Sequence, residues 1–155
     1  MGGVELNPNY ETVCSGKTGH AEVVKIDFFN QKLPLEDLLK IFFNIHDPTT
    51  LNKQGMDIGS QYRSIIICEN NFQYNKVKKF ISELNKSKIF NNAIVTDVYS
   101  QEQEEISEEK KVFWEAETEH KKYFKNNPNS PYCKAVIIPK IEKTKSLIDS
   151  KKNTI

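Results

Sequence analysis

Charge of one sign is what this 155-residue chain lacks first: 22 Lys and Arg face 21 Asp and Glu, a net charge of +1. A nucleic-acid-binding domain gathers basic residues on one face, and a polybasic membrane anchor needs a cluster of them. Neither partner is expected. No hydrophobic run approaches the roughly 18 residues of a membrane span; Ile65–Cys68 is typical of the runs present. Residues 1–15 have no basic stretch followed by an apolar one, so no secretory leader is expected. Met1-Gly2 opens like a myristoylation site, but Leu6 stands where Ser or Thr is needed. Cysteine is scarce, and Cys14, Cys68 and Cys133 are odd in number and far apart. They form neither a disulfide framework nor a zinc pattern, and a reducing, cytoplasmic compartment is the simplest expectation. Arginine is all but missing: Arg63 is the only one, among many lysines. Lys, Asn and Ile are so common that surface Lys and Asn carry little functional signal, whereas Arg63 stands out. Glycine is absent after Gly59. Gly serves where the backbone needs positive φ or close approach, so shaped loops, and with them a site, are expected in the first 60 residues.

What is present reads as one domain. Residues 1–19 suggest an ordered loop. Alternation from His20 to Phe29 predicts a strand with Glu22, Val24, Ile26 and Phe28 on its buried face. Pro34 opens a predicted helix whose Leu35, Leu38, Leu39, Phe42 and Phe43 follow helical spacing and which stops before Pro48. Tyr62–Cys68 and Ala93–Tyr99 predict strands, and Phe72–Leu84 and Phe113–Phe124 helices. Gln101–Lys111 is a charged run and reads as a solvated connection. The Lys-rich stretch from Lys140 predicts a frayed tail, so the domain is expected over 1–139 with a tail at 140–155. Strand–helix–strand–helix order predicts an α+β fold with helices packed on one sheet. Three strands make that sheet thin, with unpaired edges.

Several residues could carry chemistry. Glu22 shares its strand face with apolar neighbours, so it either finds a donor, has its pKa raised by desolvation and becomes a general acid, or reaches solvent at the strand's start. Tyr10 and Tyr62 bring phenol donors to the glycine-containing part of the chain, or are core tyrosines. Asp57, between Gly55 and Gly59, is an Asx-turn residue or a site carboxylate. His20 and His46 are bases, ligands or structural; His46 ends a helix, where a cation is favoured. Cys14 is a nucleophile or an inert thiol.

Together these residues resemble a known family. Asn7-Pro8-Asn9-Tyr10, the run Val13-Cys14-Ser15-Gly16-Lys17-Thr18-Gly19-His20-Ala21-Glu22, and the long block from His46-Asp47-Pro48-Thr49-Thr50 through Gln54-Gly55-Met56-Asp57-Ile58-Gly59-Ser60-Gln61-Tyr62-Arg63 are similar to peptide methionine sulfoxide reductase A. So are Ile94-Val95-Thr96, Phe113-Trp114-Glu115-Ala116-Glu117 with His120 and Tyr123, Asn127-Pro128 to Tyr132-Cys133, and Pro139-Lys140. The resemblance implies a ferredoxin-like two-layer sandwich, with helices on a mixed or antiparallel sheet. It implies thiol-dependent reduction of free and protein-bound methionine-S-sulfoxide, with no bound cofactor and no metal. An external thiol such as thioredoxin is the implied reductant, and the protein is expected to be a cytoplasmic monomer. Tyr10, Glu22, Asp57 and Tyr62 match the family's pocket residues. Glu22 would protonate the departing oxygen, the two phenols would hold it, and Asp57 would orient the network.

The family's nucleophile lies in a Gly-Cys-Phe-Trp segment upstream of the Gly-Gly that matches Gly2-Gly3. These 155 residues contain no such segment, and the only tryptophan is Trp114. The expectation is therefore a family domain without its first strand and helix. It is a truncated sequence, a short form that keeps only the sulfoxide-oxygen side of the pocket, or a protein in which Cys14 substitutes as nucleophile. Cys133 matches a region where many members keep a resolving thiol, and is either that thiol or structural.

Overall fold

The computed structural model describes residues 1–152. Its centre is a strand–helix–strand unit. The β-branched run Ile65–Cys68 forms one strand, and Asp97–Ser100 pairs with it in parallel, Ile65 opposite Asp97 and Cys68 opposite Ser100. The helix Asn71–Ser87 connects them. Asn70 caps its first turn by accepting from the Gln73 N–H, and Lys88 ends it in the left-handed conformation at φ 55°. An earlier helix, Leu35–Ile45, packs against the same unit. Its apolar stripe buries Leu39 and Phe43 against Cys68 and Val77, with Phe42, Phe80, Ile81 and Leu84 around them. The Phe43 and Phe80 rings stack at 5.9 Å, and Phe42 meets Phe43 edge-on at 5.1 Å.

In chain order the helices are α1 (Tyr10–Cys14), α2 (Leu35–Ile45), α3 (Asn71–Ser87), α4 (Glu108–Lys111), α5 (Tyr123–Asn126) and α6 (Ile138–Lys152). The strands are β1 (Lys53–Gln54), β2 (Asp57–Ile58), β3 (Ile65–Cys68) and β4 (Asp97–Ser100). β1 and β2 form a small antiparallel hairpin, separate from the β3–β4 pair. A π-helical turn, Cys133–Ile137, leads into α6. The α+β expectation holds, with its strands in two two-stranded sheets.

Four local expectations are corrected. Residues 20–29 form no regular element and join no ladder among the described residues. The Ala21 N–H donates to the Met1 carbonyl and the Glu22 N–H to the Gln61 carbonyl, both at 2.9 Å. Val24 is 83% and Ile26 54% exposed, so most of the face read as buried is open. Alternation makes a strand only when a neighbour satisfies its backbone groups. The predicted helix 113–124 shrinks to α5, because Glu117 and His120 are engaged with Tyr10 instead of with a local helical face. The strands predicted over 62–68 and 93–99 begin only at Ile65 and Asp97, since Ser60–Tyr62 is a 3₁₀ turn. The stretch from Lys140 to Lys152 is helical within α6 and packs on α2 instead of fraying; residues 153–155 of the expected tail lie outside the described residues.

His46, just past α2, fastens that helix to the strands. Its Nδ1–H donates to the Phe42 carbonyl at 2.5 Å, and its Nε2 accepts from the Ser64 hydroxyl at 2.8 Å. Ser64 Oγ lies 2.7 Å from Thr96 Oγ1. Both ring nitrogens are thus used by a neutral imidazole. Burial holds its pKa below the ordinary 6.5; Lys140 lowers it further, while the Phe42 carbonyl and Asp47 oppose. A histidine that resists protonation in the fold but not in the unfolded chain contributes stability above pH 6.5, lost as pH falls through its lower folded value. Urea unfolding at pH 8 and at pH 5.5 is expected to show a larger acid destabilisation for the wild type than for His46→Asn. Equal acid losses would remove His46 from the pH dependence.

Candidate functional site

The site begins with α1, one turn and a little more. Asn9 caps it: Asn9 Oδ1 accepts from the Thr12 N–H at 2.9 Å, and Thr12 Oγ1 accepts from the Asn9 N–H at 3.1 Å. Cys14 lies four positions after Tyr10, so both project on one side of this turn. The neighbouring Cys14 side chain is the main reason the Tyr10 pKa is pushed up to about 12. Burial, Tyr62 and Glu22 add to the shift.

Two long-range contacts fix Tyr10. Its N–H donates to Glu117 Oε1 at 2.8 Å, and its ring stacks on His120 with centroids 4.3 Å apart and planes 23° from parallel. Glu117, three residues before His120, is held ionised by its own backbone N–H and that of Tyr10.

Glu22 enters from segment 20–29, its N–H tied to the Gln61 carbonyl. More than a third of the residue meets solvent, yet its carboxyl pKa is raised, chiefly by burial. His120 pulls it down and Asp57 pushes it up. Tyr62, half-buried, closes the 3₁₀ turn, and its pKa is raised by burial, then by Glu22 and Cys14. Asp57 opens β2 opposite Gln54, across the two-residue turn Gly55-Met56. Tyr132 feels both Asp57 and Glu22 after the larger effect of its own burial. The structure therefore brings Tyr10, Glu22, Asp57 and Tyr62 into one electrostatic neighbourhood, with Cys14 beside them.

The loops that hold these side chains explain the glycines. A Cβ on Gly3 would fall 2.3 Å from the His20 nitrogen and 2.4 Å from the Thr18 carbonyl oxygen, so only glycine lets the N-terminus lie against residues 18–20. Gly59, at φ 149°, leaves room for the Gln61 side chain, whose Oε1 would sit 2.3 Å from a Cβ there. Gln61 is buried, and its Nε2 donates to the Cys14 carbonyl at 3.2 Å while its Oε1 has no partner. Arg63 is a brace. Its Nη1 donates to the Ser60 carbonyl at 2.9 Å and its Nη2 to the Gly19 carbonyl at 3.1 Å, and its Nε pairs with Asp97 at 3.2 Å.

Other candidates fall outside the cluster. His20 is 2% exposed; its Nδ1 accepts from the Gly3 N–H and its Nε2–H donates to the Glu5 carbonyl, a structural role. His46 is likewise committed to packing. Cys68 and Cys133 are buried, and burial pushes the Cys68 thiol up to about 11. Only Cys14 of the three cysteines is half-exposed, and all three are free. Among the described residues no group of three or more His, Cys, Asp or Glu is placed to hold a metal ion. Sequence reasoning assigned no site role to His120, Gln61 or Tyr132. The Glu117–His120 spacing and Tyr132 were visible, but the site residues they face, Tyr10, Asp57 and Glu22, are more than 70 residues away, and no local pattern names them.

The family model described as peptide methionine sulfoxide reductase matches residues 1–153. The peptide methionine sulfoxide reductase MsrA of Trichodesmium erythraeum is 45% identical over 144 residues, covering 93% of this chain and 76% of that protein. The MsrA of Nautilia profundicola is 46% identical over 153 residues, covering 99% and 82%. The crystal structure of Mxr1 from Saccharomyces cerevisiae in reduced form superposes with a TM-score of 0.69 at 34% identity, covering 81% of this chain and 63% of that one. Methionine sulfoxide reductase A of Corynebacterium diphtheriae gives a TM-score of 0.68 at 27% identity, covering 83% and 61%. The chain thus spans about three quarters or more of these two sequence relatives, and under two thirds of the two solved chains.

Proposed function

This chain belongs to the peptide methionine sulfoxide reductase family, and from that premise we propose that its Tyr10–Glu22–Asp57–Tyr62 cluster grips and protonates the oxygen of methionine-S-sulfoxide. The single observation that supports this most is the carboxyl of Glu22, kept toward its protonated form by burial and by Asp57 and set among phenols. A sulfoxide oxygen accepts hydrogen bonds and becomes basic as the S–O bond breaks. Neutral phenols whose pKa values are raised remain donors through the reaction, and a protonated carboxyl can hand over its proton. Asp57, placed beside Glu22 and Tyr132, favours the proton staying on Glu22 until the oxygen takes it.

In the family reaction a cysteine thiol attacks the sulfoxide sulfur. The sulfoxide becomes a thioether, and the oxygen ends on the cysteine as a sulfenic acid. Two equivalents of an external thiol then return the cysteine to its thiol, releasing water and a disulfide. No bound cofactor takes part. We assign the reductant to a thioredoxin-type dithiol, the enzyme to a cytoplasmic monomer, and buried Cys133 to a structural role. Among the described residues no helix is long and apolar enough to cross a membrane.

The test is binding of the two epimers of N-acetyl-methionine-sulfoxide amide to the 155-residue chain, followed by NMR. The S epimer is expected to shift resonances of Tyr10, Glu22 and Tyr62 and to bind at least about tenfold more tightly than the R epimer. Protein that also carries the Gly-Cys-Phe-Trp segment is expected to reduce the S epimer with a thiol. Equal binding of both epimers, or shifts confined to other residues, would refute the assignment.

A further inference from the structure

Asp57 and Tyr132, which belong to the cluster around Glu22, also line an open groove of about 1300 Å³. The end of α2, the apolar face of α3, the π-helical turn and the start of α6 form its walls, through Phe43, Phe80, Leu84, Val136 and Pro139 among others. Pockets that enclose a drug-sized ligand run to roughly 300–1,000 Å³. A free amino acid at Glu22 would leave most of this space unfilled, whereas several residues of polypeptide would occupy it.

The charges along the groove are not balanced. Of its carboxylates, Asp47 Oδ1 accepts from the Thr49 N–H at 2.9 Å and from the Thr49 hydroxyl at 2.7 Å, and Asp57 lies at the Glu22 cluster. Of its ammonium groups, Lys40 pairs with Asp37 at 3.5 Å. Lys140 and Lys143, one turn apart on α6, have no carboxylate partner among the described residues. An incoming carboxylate would complete both, and apolar side chains would cover the α2–α3 wall.

We propose that this groove seats the polypeptide flanking an oxidised methionine, and that it selects segments whose apolar side chains lie on α2 and α3 and whose acidic residue meets Lys140 and Lys143. The proposal rests on the assignment of the Glu22 cluster to the sulfoxide. It makes segments of acidic, apolar character the preferred ones among protein-bound methionine sulfoxides.

The experiment compares fluorescently labelled peptides that hold one methionine sulfoxide between apolar residues and either two Asp or two Lys. Binding to the wild-type chain and to a Lys140→Glu/Lys143→Glu variant is read by anisotropy. N-acetyl-methionine-sulfoxide amide is titrated by NMR against both proteins. Lys143 is exposed and Lys140 half-buried on α6, and circular dichroism checks the fold. The acidic peptide is expected to bind the wild type about tenfold more tightly than the basic one, with the preference abolished or reversed in the variant. The amide should shift Glu22 and Tyr62 equally in both proteins. Equal affinity for the two peptides, with the amide still shifting the cluster, would overturn the groove proposal alone. An amide that leaves Glu22 and Tyr62 untouched would overturn it together with the cluster assignment. A dimer that the double substitution dissociates would place a second copy in the groove, and would also overturn it.

Discussion

Glu22→Gln is expected to slow sulfoxide reduction by roughly 10²–10⁴-fold, the usual worth of a general acid, in protein that carries the family's nucleophile segment. The substitution keeps the size of the side chain and a hydrogen-bond donor, so binding of the sulfoxide should change little. What it removes is a proton that can leave. Without that proton the oxygen would depart as a poorly stabilised anion, and the loss should appear in kcat more than in KM. The pH profile adds a second readout. Burial and Asp57 raise the Glu22 pKa, against the pull of His120. The protonated, active form therefore persists above the ordinary carboxylate range and is lost as pH rises through the raised value. The wild-type rate should fall along that limb, and the Gln variant should lack it. The shift has the same sign in folding: the neutral carboxyl is the form the fold prefers, so its favourable contribution fades as pH rises through the folded pKa. A Gln variant with wild-type kcat and an unchanged pH limb would remove Glu22 from proton transfer.

The parts of this molecule that were legible in the sequence are those in which a local pattern and its long-range partner agree. The spacing of Leu35, Leu38, Leu39, Phe42 and Phe43 fits only a helix, and α3 and β3 stand ready to bury that stripe. The run Ile65–Cys68 is short, β-branched and apolar, and it becomes the central strand. Segment 20–29 has an equally clear alternation, but its backbone finds only isolated partners in Met1 and Gln61, so pattern and outcome separate. The segment 113–124 fails for the opposite reason. Its helical spacing is real, but Glu117 and His120 make better contacts with Tyr10, more than 100 residues away, than a helix could offer. Among the site residues, Glu22 was marked by an acid on an apolar face, a feature read from an incorrect strand. The structure supplies a different cause for the same property, partial burial of the carboxyl with the Asp57 charge nearby. No sequence pattern announced the stack of His120 on Tyr10, because it depends on how two ends of the chain meet.

Phe43→Ala is expected to destabilise the protein by about 3–5 kcal/mol, the range found when a buried aromatic side chain is truncated. Phe43 is 5% exposed, between Leu39, Cys68 and Val77, with the Phe80 ring stacked on it and Phe42 edge-on. Removing the ring forfeits its transfer free energy and leaves a cavity that these neighbours fill only in part. Domains of this size have a net stability of about 5–15 kcal/mol, so the loss is a large share of the whole. It should also reach the site. Phe43 lies next to Phe42, whose carbonyl holds His46, and His46 links α2 through Ser64 to Thr96 beside β4. The chain continues from His46 through buried Pro48 into the hairpin that carries Asp57. Loosening the end of α2 should therefore weaken sulfoxide binding at temperatures where the variant is still folded. Phe72→Ala is the control: Phe72 is 69% exposed on α3, beneath the Lys76 ammonium at 5.0 Å, and should cost less than about 1 kcal/mol. Urea denaturation of the three proteins measures the difference. Comparable midpoints for Phe43→Ala and Phe72→Ala would mean that the α2–α3 contact is not the core of this fold.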